Sequence, residues 1–222
     1  MSYILLGRIS GLEKINTKTG KCLAASVTTI NKRLKKRCIL PLQVTHGSEV
    51  TALFSHLDDA ISALVYMEEE LLQSGLGNVM HWSVCSGSFT VMKDEKNFPC
   101  IGGKDLLQLH RTMQAEKTKN RFFIRTHDRQ DDFFLLQALL LWNHFLSQWN
   151  LKRDHEILAI FLDGNDYKNA ADLMNIARPQ AWRKYRSMNM AVYFSIREIL
   201  LSGRLIQEKT HTEHGSVLIH KP

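Results

Sequence analysis

Apolar residues follow two different spacings along the first half of the chain. Alternating or short apolar runs predict strands over 3–9, 39–45, 50–54 and 79–89, and apolar steps of three and four predict helices over 22–37 and 57–72. The two middle strands flank the sequence HGSE, which predicts a hairpin. A loop holding Asp94, Lys96 and Pro99 then leads into a helix over 104–115 and an added strand over 121–125.

The order of these elements predicts an α+β fold. Strand, helix, strand, strand, helix, strand is the order of a ferredoxin-like βαββαβ unit, in which helices cover one side of a sheet. Beyond this unit the apolar spacing is helical. We therefore predict a ferredoxin-like domain over 1–129, an all-α helix-turn-helix domain over 130–206 and a tail over 207–222. A chain of 222 residues with 44% hydrophobic content can form two such small domains.

Residues 154–201 have the spacing of a helix-turn-helix: a short apolar helix, a second helix, a tight turn and a longer third helix. Ala171 is small where two helices must cross closely, and Asn175 stands where the turn requires a left-handed residue. Counting from Ala171, the apolar position expected inside the third helix falls on Ala181, and Trp182 comes one residue late. This offset favours a turn that is longer by one residue.

The third helix, predicted as one continuous element, has two different faces. The stripe predicted to pack comprises Trp182, Tyr185, Met188 or Asn189, Val192, Ile196 and Ile199. The candidate DNA contacts at the start of the helix are Arg178, Gln180, Arg183, Lys184, Arg186 and Ser187. Arginine can pair with guanine, and glutamine with adenine, through two hydrogen bonds in the major groove. The alternative is a packing module whose basic face is only solvated.

The overall charge favours an anionic partner. The formal net charge is +7 and the isoelectric point is near 9.3, which bears on association and not on fold. The densest basic run, Lys32 to Arg37, also ends a predicted helix, where cations complement the helix dipole. Double-stranded DNA as a partner therefore rests on the local cluster in the third helix.

Other features narrow the class of protein. Cys22, Cys38, Cys85 and Cys100 are widely spaced and predict buried free thiols without a metal or cofactor. The first ten residues are too quickly polar for a signal peptide. The most apolar run, over 133–142, is far shorter than the roughly 20 residues that a membrane helix needs. We therefore expect a cytoplasmic protein without a membrane segment.

Several short motifs resemble a known family. ILLGRISG near the amino terminus, THGSEVTALF in the hairpin, HWSVCSGSF in the later strand and CIGGKDLLQLHRTMQ after it are similar to the SatD family. The resemblance spans almost the whole chain. It implies a first domain similar to the palm fold of nucleotide cyclases and GGDEF proteins, with a helix-turn-helix behind it.

The resemblance also implies where this chain departs from catalytic relatives. In those relatives, a carboxylate after the first strand and another in the hairpin hold two metal ions. The matching positions here are Arg8 and Ser48, and only the neighbouring Glu49 is acidic. A cation and a neutral hydroxyl are poor replacements for magnesium ligands. We therefore predict no catalytic residues, no metal and no nucleotide cyclisation.

Binding without turnover is a separate possibility for the palm-type domain. Arg8, His46 and Lys104 could pair with the phosphate oxygens of a nucleotide or another anionic effector. The alternative is that Arg8 only closes a salt bridge over an inactive site.

The segment that joins the two predicted domains is unusually apolar. Residues 133–149 are apolar nearly all round a helix, which predicts burial on several sides. This helix either packs on the sheet or pairs with its copy, and helix-turn-helix proteins often act as two-fold pairs. We expect a homodimer.

Together these features predict a DNA-binding, transcription-regulator-like protein with a catalytically degenerate palm-type domain for sensing or dimerisation. A pseudo-enzyme adaptor whose helices bind another protein is the second hypothesis. A nucleotide enzyme with relocated metal ligands is the third.

Overall fold

The computed structural model of the protein describes residues 1–9, 17–45, 48–77, 80–93, 97–115, 120–164 and 166–202. In this part of the chain it confirms an α+β fold. The strands are β1 (Ser2–Ile9), β2 (Cys38–Thr45), β3 (Glu49–Phe54), β4 (Met80–Gly87), β5 (Thr90–Lys93), β6 (Pro99–Gly102) and β7 (Phe122–Arg125). The helices are α1 (Thr17–Leu34), α2 (Leu57–Gln73), α3 (Lys104–Ala115), α4 (Arg129–Gln148), α5 (Leu151–Gly164), α6 (Tyr167–Leu173), α7 (Arg178–Ser187) and α8 (Met190–Leu201).

A five-stranded sheet in the order β2-β3-β1-β4-β7 forms the centre of the first half. Neighbouring strands are antiparallel except β4 and β7, which are parallel. The predicted order of strand, helix, strand, strand, helix and strand is confirmed from β1 to β4, and β2 and β3 pair as predicted. Because β1 lies between β3 and β4, residues at its end have neighbours on both sides.

The two faces of the sheet are covered by different helices. Alternation along β1 directs Leu5 to a large core shared with α1, α2 and α4, and Ile4 to a smaller one. The smaller core includes Leu109 of α3. Side chains at even-numbered positions of β1, including Arg8, therefore lie on the α3 side of the sheet.

The first helix and the loop before α3 differ most from prediction. The first helix starts at Thr17, five residues before the predicted start, and ends at Leu34, after which residues 35–37 form a single 3-10 turn. The predicted loop before α3 contains the small antiparallel sheet of β5 and β6. All four residues of β5 are exposed. A strand that buries neither face needs no alternation of apolar and polar residues, so the sequence does not predict it.

Helix α2 supports both halves of the protein. Glu68 is fully buried and accepts hydrogen bonds from Trp82 of β4 and from Arg121 beside β7. The next residue, Glu69, accepts hydrogen bonds from Tyr193 and Arg197 of α8. One hydrophobic core continues from the sheet into α5 and α8 across the predicted boundary at residue 129, so the division into two domains stays a prediction. The predicted tail lies outside the described residues.

The four cysteines are free, but only one matches the expectation of burial. Cys85 is buried, whereas Cys22, Cys38 and Cys100 are half-buried. Burial raises the pKa of the Cys85 thiol to about 12 and that of Cys38 to about 11, so both are protonated at neutral pH.

Helix α4 is buried on one side only, so its predicted burial on several sides is wrong within a single chain. Leu135, Leu139, Trp142 and Leu146 face the core, whereas large apolar residues remain exposed opposite them. No helix in the described ranges is long and apolar enough to cross a membrane.

Candidate functional site

The turn between α6 and α7 is closed by the residues that the sequence indicated. Asn175 has the left-handed conformation, with φ of 52°. The amide of Ile176 donates to the carbonyl of Ala171 at 3.0 Å, and that of Asn175 to the carbonyl of Asp172 at 3.3 Å. These hydrogen bonds satisfy the last carbonyls of α6 and turn the chain sharply. Helix α7 then begins at Arg178, with Pro179 in its first turn.

Small residues let α6 and α7 pack closely. Ala170 and Ala181 are fully buried, and Ala171 is almost so. Ala181 is therefore the residue of α7 that faces the interior. The turn does not need the extra residue that the sequence offset indicated, because Ala181, and not Trp182, is the buried residue where the two helices cross.

The prediction of one long third helix is wrong. Helix α7 ends at Ser187, Asn189 takes a left-handed conformation with φ of 54°, and α8 begins at Met190. This break rotates the packing face, so the buried residues of α8 are Met190, Tyr193, Ile196 and Leu200. Of the predicted stripe, Trp182, Val192 and Ile199 are exposed by 42–45%, and Met188 and Ile196 are buried.

The outer face of α7 carries most of the predicted DNA contacts. Gln180, Arg183, Arg186 and Ser187 are all exposed. Arg183 forms only a local hydrogen bond, from Nε to the carbonyl of Pro179 at 3.3 Å, and the Arg186 guanidinium lies 6.0 Å from the Trp182 ring centre. Neither arginine forms an ion pair with an acid among the described residues. Their charge is therefore available to an external anion.

Lys184 differs from its neighbours, because its charge is neutralised inside the protein. Its Nζ lies 2.8 Å from Oδ1 of Asp154, a buried residue of α5, which also forms two hydrogen bonds with Arg153. These hydrogen bonds, first from Arg153 and then from Lys184, hold the pKa of Asp154 well below its usual range. Lys184 fastens α7 to α5, and this ion pair disfavours its predicted contact with DNA.

The last predicted contact, Arg178, lies at the start of α7. Its Nη2 is 3.8 Å from Asp172, and both side chains are mostly exposed, so this ion pair is weak. Arg178 can exchange that partner for a phosphate.

The roles of two residues that contact or belong to α7, Asp154 and Trp182, were not predicted from the sequence. Asp154 lies on the same helical face as Ile157, Leu158 and Phe161, and an acid on an apolar stripe indicates a buried cation partner. Trp182 packs against Tyr167 of α6, with ring centres 4.9 Å apart, but leaves part of its ring exposed beside Arg186. No sequence signal separates this partial exposure from burial.

Arg8 and Glu49 face each other across β1 and β3, at the edge where the resemblance places metal ligands. Both Nη2 and Nε of Arg8 donate to Oε2 of Glu49, at 2.8 and 3.2 Å, and Nη2 lies 3.2 Å from Nδ1 of His110 on α3. Glu49 is buried, so its carboxylate is balanced by an internal cation. This geometry favours the salt-bridge alternative over phosphate binding for Arg8.

The other predicted positions of this domain are Lys104, Ser48 and His46. Lys104 is exposed at the start of α3 and makes no ion pair with Glu49 among the described residues. Ser48 accepts the backbone hydrogen bond of Ile9 at 3.0 Å, and His46 lies outside the described residues. Across the described ranges, no group of three or more His, Cys, Asp or Glu side chains could hold a metal ion.

No family model matches the sequence, and no curated protein is significantly similar to it. Among solved structures, the chain matches a bacterial light-regulated adenylyl cyclase at 14% sequence identity and a TM-score of 0.37. The match covers 53% of this chain and 70% of the cyclase chain. This likeness assigns no activity to the protein, and membership of the SatD family stays a prediction.

Proposed function

We propose that the protein is a cytoplasmic DNA-binding regulator, built from a ferredoxin-like palm-type domain without catalytic activity and a helix-turn-helix domain. The observation that carries this proposal is the outer face of α7. There Arg183 and Arg186 are exposed and free of acidic partners among the described residues, on a helix whose opposite side packs through the buried Ala181. A rigid helix with an exposed basic face fits the major groove of duplex DNA.

Each side chain of α7 has a distinct role in this proposal. A helix turns by about 100° per residue, which places Arg183 and Arg186 toward the groove and Gln180 and Ser187 on one flank. Arg178 lies nearer α6 and reaches a phosphate. Lys184 does not contact DNA but keeps α7 in position through Asp154.

Salt dependence of duplex binding tests the proposal. On a random-sequence duplex, where no base is read, Arg178, Arg183 and Arg186 would all neutralise phosphates and release counterions. Affinity should then fall about 40-fold per bound copy between 50 and 200 mM salt. Fluorescence anisotropy with a labelled duplex measures this slope. Arg183→Ala and Arg186→Ala should each reduce the slope by about one.

Arg111→Ala is the matched control. Arg111 is an exposed arginine of α3, which lies on the side of the sheet opposite to α1, α2 and α4. It should leave both affinity and salt slope unchanged. Binding that is independent of salt, or equally affected by all three variants, contradicts the proposal.

We also infer that the palm-type domain does not cyclise nucleotides. The Arg8 guanidinium forms a salt bridge with the Glu49 carboxylate, and a cation at this position repels magnesium. Incubation with ATP or GTP and Mg²⁺ or Mn²⁺ should give no cyclic or linear dinucleotide product by chromatography. A metal-dependent product that disappears in Glu49→Gln would overturn this inference.

A protein-binding adaptor is the second candidate, and a specific observation favours it. Leu173, at the end of α6, is 72% exposed, and Trp182 is 42% exposed on the same helical unit. Apolar groups of this kind could contact a protein partner. An apolar interface would bind with little dependence on salt, whereas DNA binding falls steeply with it.

A further inference from the structure

The outward side of α4 is an apolar face that the described chain does not cover. Four large side chains form it: Phe133 (66% exposed), Phe134 (47%), Leu140 (38%) and Leu141 (57%). The two phenylalanines and the two leucines are separated by about two helical turns. All four lie on the side opposite Leu139 and Trp142, which pack in the core. We call these four residues, with Gln137 between them, the α4 face.

The α4 face suits a partner of the same charge as this chain. From residue 133 to residue 150 the sequence contains no Asp, Glu, Lys or Arg. Two copies of a chain with a net charge of +7 repel each other over most of their surfaces, and an uncharged face is where that repulsion is weakest. The same lack of charge provides nothing to attract nucleic acid.

The extent of the apolar surface is also in the range of a self-interface. A phenylalanine buries roughly 150–250 Å² when it is covered, so the four side chains expose on the order of 400 Å². That is about half of the ~800 Å² per partner in a standard interface, the remainder being polar rim. Gln137, His144 and Gln148 are exposed on the same side and can form part of this rim.

The α4 face is self-complementary when two copies run antiparallel about Gln137. Phe133 then opposes Leu141 of the second copy, and Phe134 opposes Leu140, so each pair joins an aromatic to a smaller aliphatic side chain. The Gln137 amide carries both donors and an acceptor, and two such amides related by a two-fold axis satisfy each other. An isologous interface requires this kind of match.

We propose that a second copy of this chain packs antiparallel on the α4 face, with Gln137 on the two-fold axis. This dimer does not depend on DNA binding, so a measurement of the oligomeric state without DNA is sufficient to test it. It would present two copies of α7 related by the same axis, which is the arrangement that reads repeated half-sites.

Sedimentation velocity of the full chain tests the interface. Wild-type protein at micromolar concentration should sediment at about twice the chain mass of 25.6 kDa. Leu141→Glu introduces a charge on both sides of the axis and should weaken dimerisation at least 100-fold. Since Leu141 is exposed, the variant should keep the wild-type circular dichroism spectrum and Tm.

Leu107→Glu is the matched control. Leu107 is a leucine of α3 with a similar exposure of 63%. This variant should remain dimeric. A monomeric wild type, or dissociation caused by Leu107→Glu but not by Leu141→Glu, would overturn the proposal.

A charge-pair rescue tests the antiparallel register. Phe133→Glu and Leu141→Lys should each give a monomer, because each leaves an unpaired charge in an apolar interface. In the double variant, position 133 of one copy faces position 141 of the other twice, and the dimer should return. A double variant that stays monomeric rejects this register, since a parallel arrangement would oppose like charges.

Discussion

Glu68→Gln is expected to destabilise the protein by about 3–5 kcal/mol, the typical loss when one partner of a buried ion pair is removed. Glu68 is fully buried on α2 and is the carboxylate partner of Arg121. Glutamine keeps the shape but removes the buried negative charge that pairs with the guanidinium of Arg121. Arg121 also donates to the Met80 carbonyl at 2.9 Å and to Asn143 of α4 at 2.8 Å, so the loss reaches the sheet and α4 together.

Urea unfolding followed by tryptophan fluorescence measures this loss. Glu198→Gln is the control, because Glu198 is 70% exposed and pairs with Arg197 at 3.3 Å on the surface of α8. That change should alter the free energy of unfolding by less than about 1 kcal/mol. A loss below 1 kcal/mol for Glu68→Gln would show that the buried pair does not hold α2 to the sheet.

Asp154→Asn is expected to lower stability at neutral pH by about 1.5–3 kcal/mol, the range for hydrogen bonds to charged groups. It should also remove part of the acid sensitivity of the protein. The pKa of Asp154 is depressed in the folded state by Arg153 and Lys184, so its contribution is fully present above the unfolded value near 3.9. That contribution is lost as pH falls below about 4, where the unfolded chain binds a proton first.

Unfolding curves at pH 7 and pH 3 for both proteins measure the effect. The difference between wild type and Asp154→Asn should be larger at pH 7 than at pH 3. Asp172→Asn serves as the exposed control, since Asp172 pairs with Arg178 only at 3.8 Å. Equal differences at the two pH values would mean that Asp154 does not gain its stability from ionisation.

The local conformation of the turn was predictable from sequence, but the continuity of the next helix was not. Asn175 and Asn189 both take left-handed conformations, yet only Asn175 follows a segment with an obvious break in apolar spacing. Asn189 lies between two methionines, in a stretch without glycine or proline, where helical spacing continues on both sides. The left-handed φ of Asn189 shows the break, and Met188 before it and Met190 after it are both buried.

The pairing at the end of β1 shows a similar division. The resemblance implied that Arg8 and Ser48 stand where catalytic relatives have metal ligands, with Glu49 as the neighbouring acid. The direct pairing of Arg8 with Glu49, and the approach of His110 from α3, depend on the register of β1 with β3 and on which face α3 covers. A shift of one residue in that register would turn the two side chains to opposite faces.

The sequence was sufficient for the order of elements from β1 to β4, the crossing point of two helices at small residues, and the cations along α7. These properties depend on neighbours within a few residues, so periodicity and turn chemistry reveal them. Only the tertiary structure decided that Lys184 is paired with Asp154, 30 positions earlier, and that α4 leaves Phe133 and Leu141 uncovered. Helical spacing defines a face relative to the helix axis, but which groups cover that face depends on elements brought together from distant parts of the chain.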